Sequence, residues 1–167
     1  MTRLAVAVAK AYLNLLPAYP GEYLLRPVPL ERAEMEYDDE CSEFGFHHFF
    51  NHPLEFAGKV VLDLGCGYGG RSVRYKELGA RRVIALEVSD KMVTEALQFA
   101  STRQVGIETV VGTAEQQPLS ENTVDTICAY DVLEHVERVD LSLQECYRVL
   151  KPGGTLYAVF PPFLSPG

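Results

Sequence analysis

The sequence is poor in positive charge, in paired cysteines and in long hydrophobic runs. Fifteen Lys and Arg face 23 Asp and Glu, for a formal net charge of −8, so the chain has no general attraction for nucleic-acid phosphates or anionic lipid. The four cysteines form no C-x-x-C pair, which favours a reducing compartment. The apolar run from Leu4 to Ala9 has six residues, too few for a signal-peptide core or a membrane span. We expect a cytoplasmic protein with neither a nucleic-acid nor a membrane partner.

The chain's 167 residues suffice for one ordinary domain with its own hydrophobic core. We divide it into an N-terminal helical or lid segment, residues 1–58, and a core, residues 59–167. Apolar residues at three- and four-residue steps predict a short helix over 4–16. Four prolines between residues 17 and 29 predict an extended connector after this helix.

The rest of the N-terminal segment looks helical in parts over 30–50, with a break at Gly45. Its end, residues 44–52, is dense in aromatic and histidine residues. We expect this stretch to cover the core as a lid. Some of its side chains are candidates for contacts with a substrate or for a general base. The histidines, His47, His48 and His52, offer no complete ligand set, so no metal site is predicted.

From residue 59 onward, short β-type runs alternate with helical windows. The predicted strands are 60–64, 82–86, 107–111, 124–129 and 155–160. The predicted helices are 68–78, 90–100 and 141–150. Residues 113–122 contain Pro118 and polar residues, so this connection is expected to be mostly loop. Such alternation demands right-handed crossovers and predicts a Rossmann-like, doubly wound parallel sheet of about five strands with helices on both faces.

A glycine-rich turn follows the first predicted strand, in the sequence LDLGCGYGG at 62–70. Glycines here permit positive φ and let a ligand approach the main chain. Gly65, Gly67 and Gly70 satisfy the dinucleotide fingerprint, and Glu87 lies 22 residues beyond Gly65, where a carboxylate accepts both ribose hydroxyls. These features alone favour NAD, and hence an NAD-dependent oxidoreductase.

Asp63 argues against a dinucleotide. It stands two positions before the first glycine, where a pyrophosphate would lie close, and its carboxylate repels phosphate while suiting a cationic amine or sulfonium.

The run LDLGCGYGG resembles the first motif of class I S-adenosylmethionine-dependent methyltransferases, and ALEVS resembles their acidic second-strand end. Three later segments, VVGTAEQQPL, TVDTICAYDVLEHV and RVLKPGGTLYAVF, follow in the order and spacing of the group that methylates small metabolites. The resemblance covers about residues 59–160. It implies methyl transfer from S-adenosylmethionine to an oxygen, nitrogen or carbon of a small-molecule acceptor, with S-adenosylhomocysteine as product.

The resemblance also implies roles for individual residues. It places the turn residues around the amino-acid end of the cofactor, Glu87 on the ribose and Val88 on the adenine. Residues after the third predicted strand would meet the adenine edge, and Tyr130 would flank the methionine portion. The cofactor-binding residues it implies are Asp63, Gly65, Cys66, Gly67, Glu87, Val88, Thr113, Ala114, Glu115 and Tyr130.

Asp131 and His135 are the candidate catalytic residues. A helical turn would bring them onto one face as an acid/base pair. The alternative is that His135 only hydrogen-bonds a neighbouring backbone group.

The sequence stops after the fifth predicted strand, although methyltransferases of the family it resembles usually continue with a helix and a β-hairpin. The last strands are therefore expected to be missing. The fifth strand would be an apolar edge open to self-association as a homo-oligomer, unless another chain or the N-terminal segment covers it. Three interpretations follow: a fragment of a longer protein, a partner-dependent domain, or a domain that binds cofactor without catalysis.

Overall fold

The structure is a computed structural model, and it describes residues 7–8, 29–42 and 56–159. Its helices are α1 (Pro29–Cys41), α2 (Gly70–Glu77), α3 (Asp90–Thr102) and α4 (Val139–Val149). Its strands are β1 (Ala7–Val8), β2 (Val60–Leu64), β3 (Arg82–Glu87), β4 (Glu108–Val111), β5 (Val124–Tyr130) and β6 (Leu150–Val159).

The strands form one parallel sheet in the order β1-β6-β5-β2-β3-β4. The chain winds outward from β2 through β3 to β4, and then returns to the other side of β2 to form β5 and β6. This order confirms the predicted doubly wound fold. The strand order reverses between β2 and β5, which is where ligands bind in such sheets.

The central strand β2 is buried along its whole length, and its side chains alternate between two cores. Leu62 and Leu64 pack into a cluster that includes Cys146 of α4. Val61 packs on the other face with Tyr75 of α2. Burying each such side chain contributes about 1.5–3 kcal/mol, so β2 is held firmly. Its carboxyl end therefore provides a rigid base for the turn that follows.

Helix α1 belongs to the N-terminal helical or lid segment, residues 1–58, and it packs directly on α2 and α3. The Tyr37 hydroxyl of α1 donates to the Glu77 carboxylate of α2 at 2.6 Å. Glu34 of α1 pairs with Arg103, which follows α3. The aromatic and histidine cluster at 44–52 lies outside the described residues.

The prediction of a helix over 4–16 is wrong at Ala7 and Val8, which form β1. Ala7 lies opposite Tyr157 and Val8 opposite Ala158, in parallel register with β6. An edge strand presents unpaired backbone groups, and pairing with β1 satisfies some of them. The fifth predicted strand is thus covered at these two positions by the chain's own N-terminal segment. The rest of 4–16 lies outside the described residues.

Strand β6 begins earlier than the sequence predicts. It starts at Leu150 rather than at Thr155, and so takes in residues 151–154 and the last residue of the predicted helix 141–150. A register shift against β5 between Val124 and Thr126 accommodates these residues. Gly153 adopts a φ of 82° there, which glycine tolerates without strain.

Candidate functional site

The carboxyl ends of β2, β3 and β5 lie side by side, because Leu64 of β2 is in register with Leu86 of β3 and Ala129 of β5. Asp63 near the end of β2, Glu87 at the end of β3 and Tyr130 at the end of β5 are therefore brought to one edge of the sheet. The positions of these residues at predicted strand ends favour this grouping, since parallel strands end at the same edge of a sheet.

The glycine turn after β2 is tied to β3 by backbone hydrogen bonds. The N–H groups of Gly65 and Cys66 both donate to the Leu86 carbonyl, at 2.8 and 3.0 Å. Gly65 and Gly67 have φ values of 69° and 55°, a region that residues with a Cβ rarely adopt. A Cβ on Gly65 would also lie 2.5 Å from a methyl of Val132. The backbone conformation thus favours glycine at both positions, and at Gly65 the contact with Val132 also leaves no room for a Cβ.

Glu87 is a buried carboxylate that is already well supplied with hydrogen bonds. It accepts from the backbone N–H groups of Gly67 at 3.1 Å, Val88 at 2.9 Å and Ser89 at 3.3 Å. A carboxylate has about four acceptor sites, so these three hydrogen bonds leave roughly one acceptor site of Glu87 open. Binding both hydroxyls of a ribose therefore requires Glu87 to release or share one of these bonds, and the bond to Gly67 is the one that lies in the turn.

Asp63 is also buried, on the face of β2 that meets α2. The Ser72 hydroxyl donates to Asp63 Oδ2 at 2.5 Å. Burial raises the pKa of Asp63 to about 6, while the Ser72 hydrogen bond and the Arg71 guanidinium oppose the rise. Asp63 is thus a carboxylate that titrates close to neutral pH.

Glu36 of α1 is a third carboxylate at this turn, and sequence analysis missed it. It accepts from the backbone N–H of Tyr68 at 3.3 Å and of Gly70 at 3.1 Å. Burial is the main reason that the pKa of Glu36 is raised to about 7. Nothing in the sequence distinguishes Glu36 from other residues of a helix. Its position at the turn becomes visible only from the packing of α1 against α2.

Arg71 is the second residue that sequence analysis missed. Its guanidinium lies 3.8 Å from the centre of the Tyr130 ring, and Nη2 is 3.7 Å from Oδ2 of Asp39. Its charge also opposes the rise that burial causes in the pKa values of Asp63, Glu36 and Asp131. A positive charge therefore lies among acidic groups from α1, β2 and the end of β5.

The other implied binding residues surround this edge. Cys66 is buried, and burial raises the pKa of its thiol, so it stays protonated. Val88 follows Glu87 with 66% of its surface exposed. The turn after β4 places Thr113 in solvent and Ala114 in the core.

Glu115, the last residue of that turn, is engaged elsewhere. Its carboxylate accepts from the Glu137 backbone N–H at 3.0 Å. It therefore ties the β4 turn to the segment after β5.

The segment after β5 forms a turn and not the helical turn that was expected. Asp131 has a φ of 54°, and the His135 N–H donates to the Val132 carbonyl at 2.9 Å. The His135 side chain is 76% exposed, with Nε2 4.0 Å from Glu134. Neither a hydrogen bond nor an ion pair joins Asp131 to His135, so these two described residues do not form the predicted pair. Partial loss of hydration and the nearby Glu134 raise the pKa of Asp131.

Within residues 7–8, 29–42 and 56–159, no group of three or more His, Cys, Asp or Glu side chains is arranged to hold a metal ion. His47, His48 and His52 lie outside that part. Among the described helices none is long and apolar enough to cross a membrane.

A parallel sheet that reverses its strand order beside a glycine turn and buried carboxylates defines a Rossmann-like, nucleoside-binding class of domain. Residues 62–158 match a family model described as a methyltransferase domain. The chain belongs to the class I S-adenosylmethionine-dependent methyltransferase family, which confirms the resemblance drawn from its motifs.

Individual relatives agree with this assignment. The chain is 35% identical over 127 residues to a ubiquinone biosynthesis O-methyltransferase of Agrobacterium fabrum, a match that covers 76% of this chain and 50% of that protein. The chain spans about half the length of the curated relatives it matches.

Solved structures share the fold. The PH0226 protein of Pyrococcus horikoshii OT3 superposes with a TM-score of 0.66 at 26% identity, covering 83% of this chain and 65% of that one. An S-adenosylmethionine-dependent methyltransferase of Mesorhizobium loti superposes with a TM-score of 0.57 at 29% identity, covering 62% and 47%.

Proposed function

We propose that this chain binds S-adenosylmethionine at the carboxyl edge of β2 and β3 and transfers its methyl group to a small-molecule acceptor, leaving S-adenosylhomocysteine. The observation that carries the proposal is the pair of buried carboxylates, Asp63 and Glu87, on either side of the Gly65–Gly67 turn. Family membership adds the expectation that a nucleoside with a sulfonium lies there.

The shape of the site fits this cofactor. The positive-φ glycines leave the main chain open to close approach. Glu87 has an acceptor site left for a ribose hydroxyl, and a second becomes free if it releases the Gly67 N–H. Val88, directly after Glu87, offers exposed apolar surface to an adenine ring.

The charges also fit. Glu87 and Glu36 accept hydrogen bonds from amides of the turn, and Asp63 is close enough to Cys66 to help raise the pKa of its thiol. Together these acids favour a sulfonium and an ammonium over a pyrophosphate. Arg71 offsets one of these negative charges. The site therefore suits the net positive charge of S-adenosylmethionine better than the two phosphates of NAD.

S-adenosylmethionine supplies a methyl group already activated for displacement by its positive sulfur. The protein's own contribution is to position the acceptor in line and to exclude water. Tyr130 and Asp131, at the end of β5, border the side where an acceptor would approach. For a hydroxyl acceptor, Asp131 or the exposed His135 takes up the proton.

The acceptor is proposed to be a small molecule methylated on oxygen, by analogy with the Agrobacterium fabrum relative. The described cysteines at 41, 66, 128 and 146 are free thiols, and reduced thiols support a cytoplasmic location.

Calorimetry with S-adenosylhomocysteine tests the site. We expect Glu87→Gln and Asp63→Asn each to weaken binding by roughly 10- to 100-fold, the usual effect of losing a hydrogen bond to a charged group. Glu121→Gln, on an exposed loop residue, serves as the control and should bind normally. Unchanged affinity in both carboxylate variants, or tighter binding of NAD than of S-adenosylhomocysteine, would contradict the proposal. Transfer of labelled methyl across a panel of hydroxylated acceptors then tests turnover.

A further inference from the structure

Arg71 occupies the point where the strand order of the sheet reverses. It lies in the first turn of α2, directly after the glycine turn. Its guanidinium stacks on the Tyr130 ring at the end of β5, and its side chain is only 14% exposed. A largely buried cation thus lies between the carboxyl ends of β2 and β5.

Within the described part of the chain, the guanidinium of Arg71 is short of hydrogen-bond acceptors. A guanidinium carries five N–H donors, yet the Asp39 carboxylate, at 3.7 Å, is too far for a hydrogen bond. Nε is shielded from solvent and has no acceptor among the described residues. Buried donors nearly always have a partner, so each exception needs an explanation.

The nearby carboxylates do not fill this role, because each is engaged elsewhere. Asp63 accepts from Ser72, and Glu36 accepts from the amides of Tyr68 and Gly70. They hold the positive charge of Arg71 in place by their field. They leave its donors available to an incoming group.

We propose that Arg71 binds the carboxylate of a ligand at this site. A guanidinium binds a carboxylate through two parallel N–H groups, and stacking on Tyr130 occupies its face while leaving its edge open. This inference rests on the proposed function. The carboxylate belongs either to the amino-acid end of the cofactor or to the acceptor, and the two sources are separable by experiment.

The first arm compares S-adenosylhomocysteine with its decarboxylated analogue by calorimetry. If the cofactor supplies the carboxylate, the ratio of the two affinities falls by roughly 10- to 100-fold in Arg71→Gln relative to the unaltered protein. A purely structural role for Arg71 would weaken both ligands equally and leave the ratio unchanged. Arg74→Gln is the matched control, since Arg74 lies one turn further along α2 with a shielded Nε and should not change the ratio.

The second arm titrates benzoate and benzyl alcohol into protein saturated with S-adenosylhomocysteine. If the acceptor supplies the carboxylate, benzoate binds more tightly than benzyl alcohol, and Arg71→Gln removes the difference. A dependence on Arg71 in either arm supports the proposal and identifies the source. If neither ligand pair depends on Arg71, the proposal is overturned.

A measurement on the unaltered protein covers the case in which Arg71→Gln fails to fold. Phenylglyoxal labelling, mapped by mass spectrometry, should modify Arg71, and a carboxylate ligand should protect it while its decarboxylated analogue does not. Equal protection by S-adenosylhomocysteine and its decarboxylated analogue, together with equal protection by benzoate and benzyl alcohol, would overturn the inference. Absence of any binding by S-adenosylhomocysteine would instead count against the proposed function, so the two failures are distinguishable.

Discussion

The carboxylate of Glu36, on α1, accepts a hydrogen bond from the backbone N–H of Gly70, the first residue of α2, at 3.1 Å. Gly69, at the N-cap of α2, has no side chain to cap the helix. Glu36 supplies that acceptor from 34 residues earlier in the chain, and its negative charge suits the positive end of the helix dipole. Helix α1 therefore completes the glycine turn and belongs to the wall of the site.

Gly70→Ala should detach α1 from this wall. A Cβ on Gly70 would lie 2.1 Å from the Ala33 carbonyl and 2.6 Å from the Tyr37 amide, and backbone atoms cannot yield as a side chain does. We expect a loss of roughly 1–3 kcal/mol in the free energy of unfolding, measured by urea denaturation. Gly106→Ala is the control, because a Cβ there meets nothing within 4 Å. Equal stability of the two variants would show that α1 is not seated on Gly70.

The buried acids should make stability depend on pH. Glu36 has a pKa of about 7 in the fold against an ordinary 4.5, and Asp63 about 6 against 3.8. At pH values between the ordinary and the raised pKa of each acid, the native state binds more protons than the unfolded state. The free energy of unfolding is therefore greatest at the acid end of this pH range and falls as the pH rises towards 7. We expect Glu36→Gln to reduce this pH-dependent decrease in the free energy of unfolding by roughly 1–3 kcal/mol.

Urea denaturation at intervals from pH 4.5 to 7.5 measures this effect. Asp38→Asn alters an exposed acid on the same helix and should leave the pH profile as it is. If Glu36→Gln and Asp38→Asn gave the same profile, the burial of Glu36 would not be setting its titration.

Most of the sheet could be predicted because each strand from β2 onward contains a short apolar run, and parallel order follows from the intervening helices. The grouping of Asp63 with Glu87 followed from the same logic, since both stand near strand ends. Contacts between distant segments could not be predicted in this way. Glu36 reaches the turn only because α1 packs on Gly70. Ala7 pairs with Tyr157 although the two residues lie near opposite ends of the chain.

Deleting residues 1–8 should expose the edge of β6. These residues include β1, which pairs with Tyr157 and Ala158, and uncovered backbone groups on an apolar edge favour pairing with a second chain. We expect light scattering to show concentration-dependent self-association of the shortened chain, beyond any seen in the full chain. Identical scattering from both chains would mean that β1 does not protect this edge.

Binding of a sulfonium beside Asp63 should release protons. Asp63 is about half protonated near pH 6, and a neighbouring cation favours its ionised form. Titration of S-adenosylmethionine at pH 6, in buffers of different ionisation enthalpy, should therefore show release of up to about half a proton, falling towards zero at pH 8. S-adenosylhomocysteine lacks the sulfonium charge and should release fewer protons at pH 6. Asp63→Asn should abolish this difference between the two ligands, and its persistence in that variant would place the sulfonium away from Asp63.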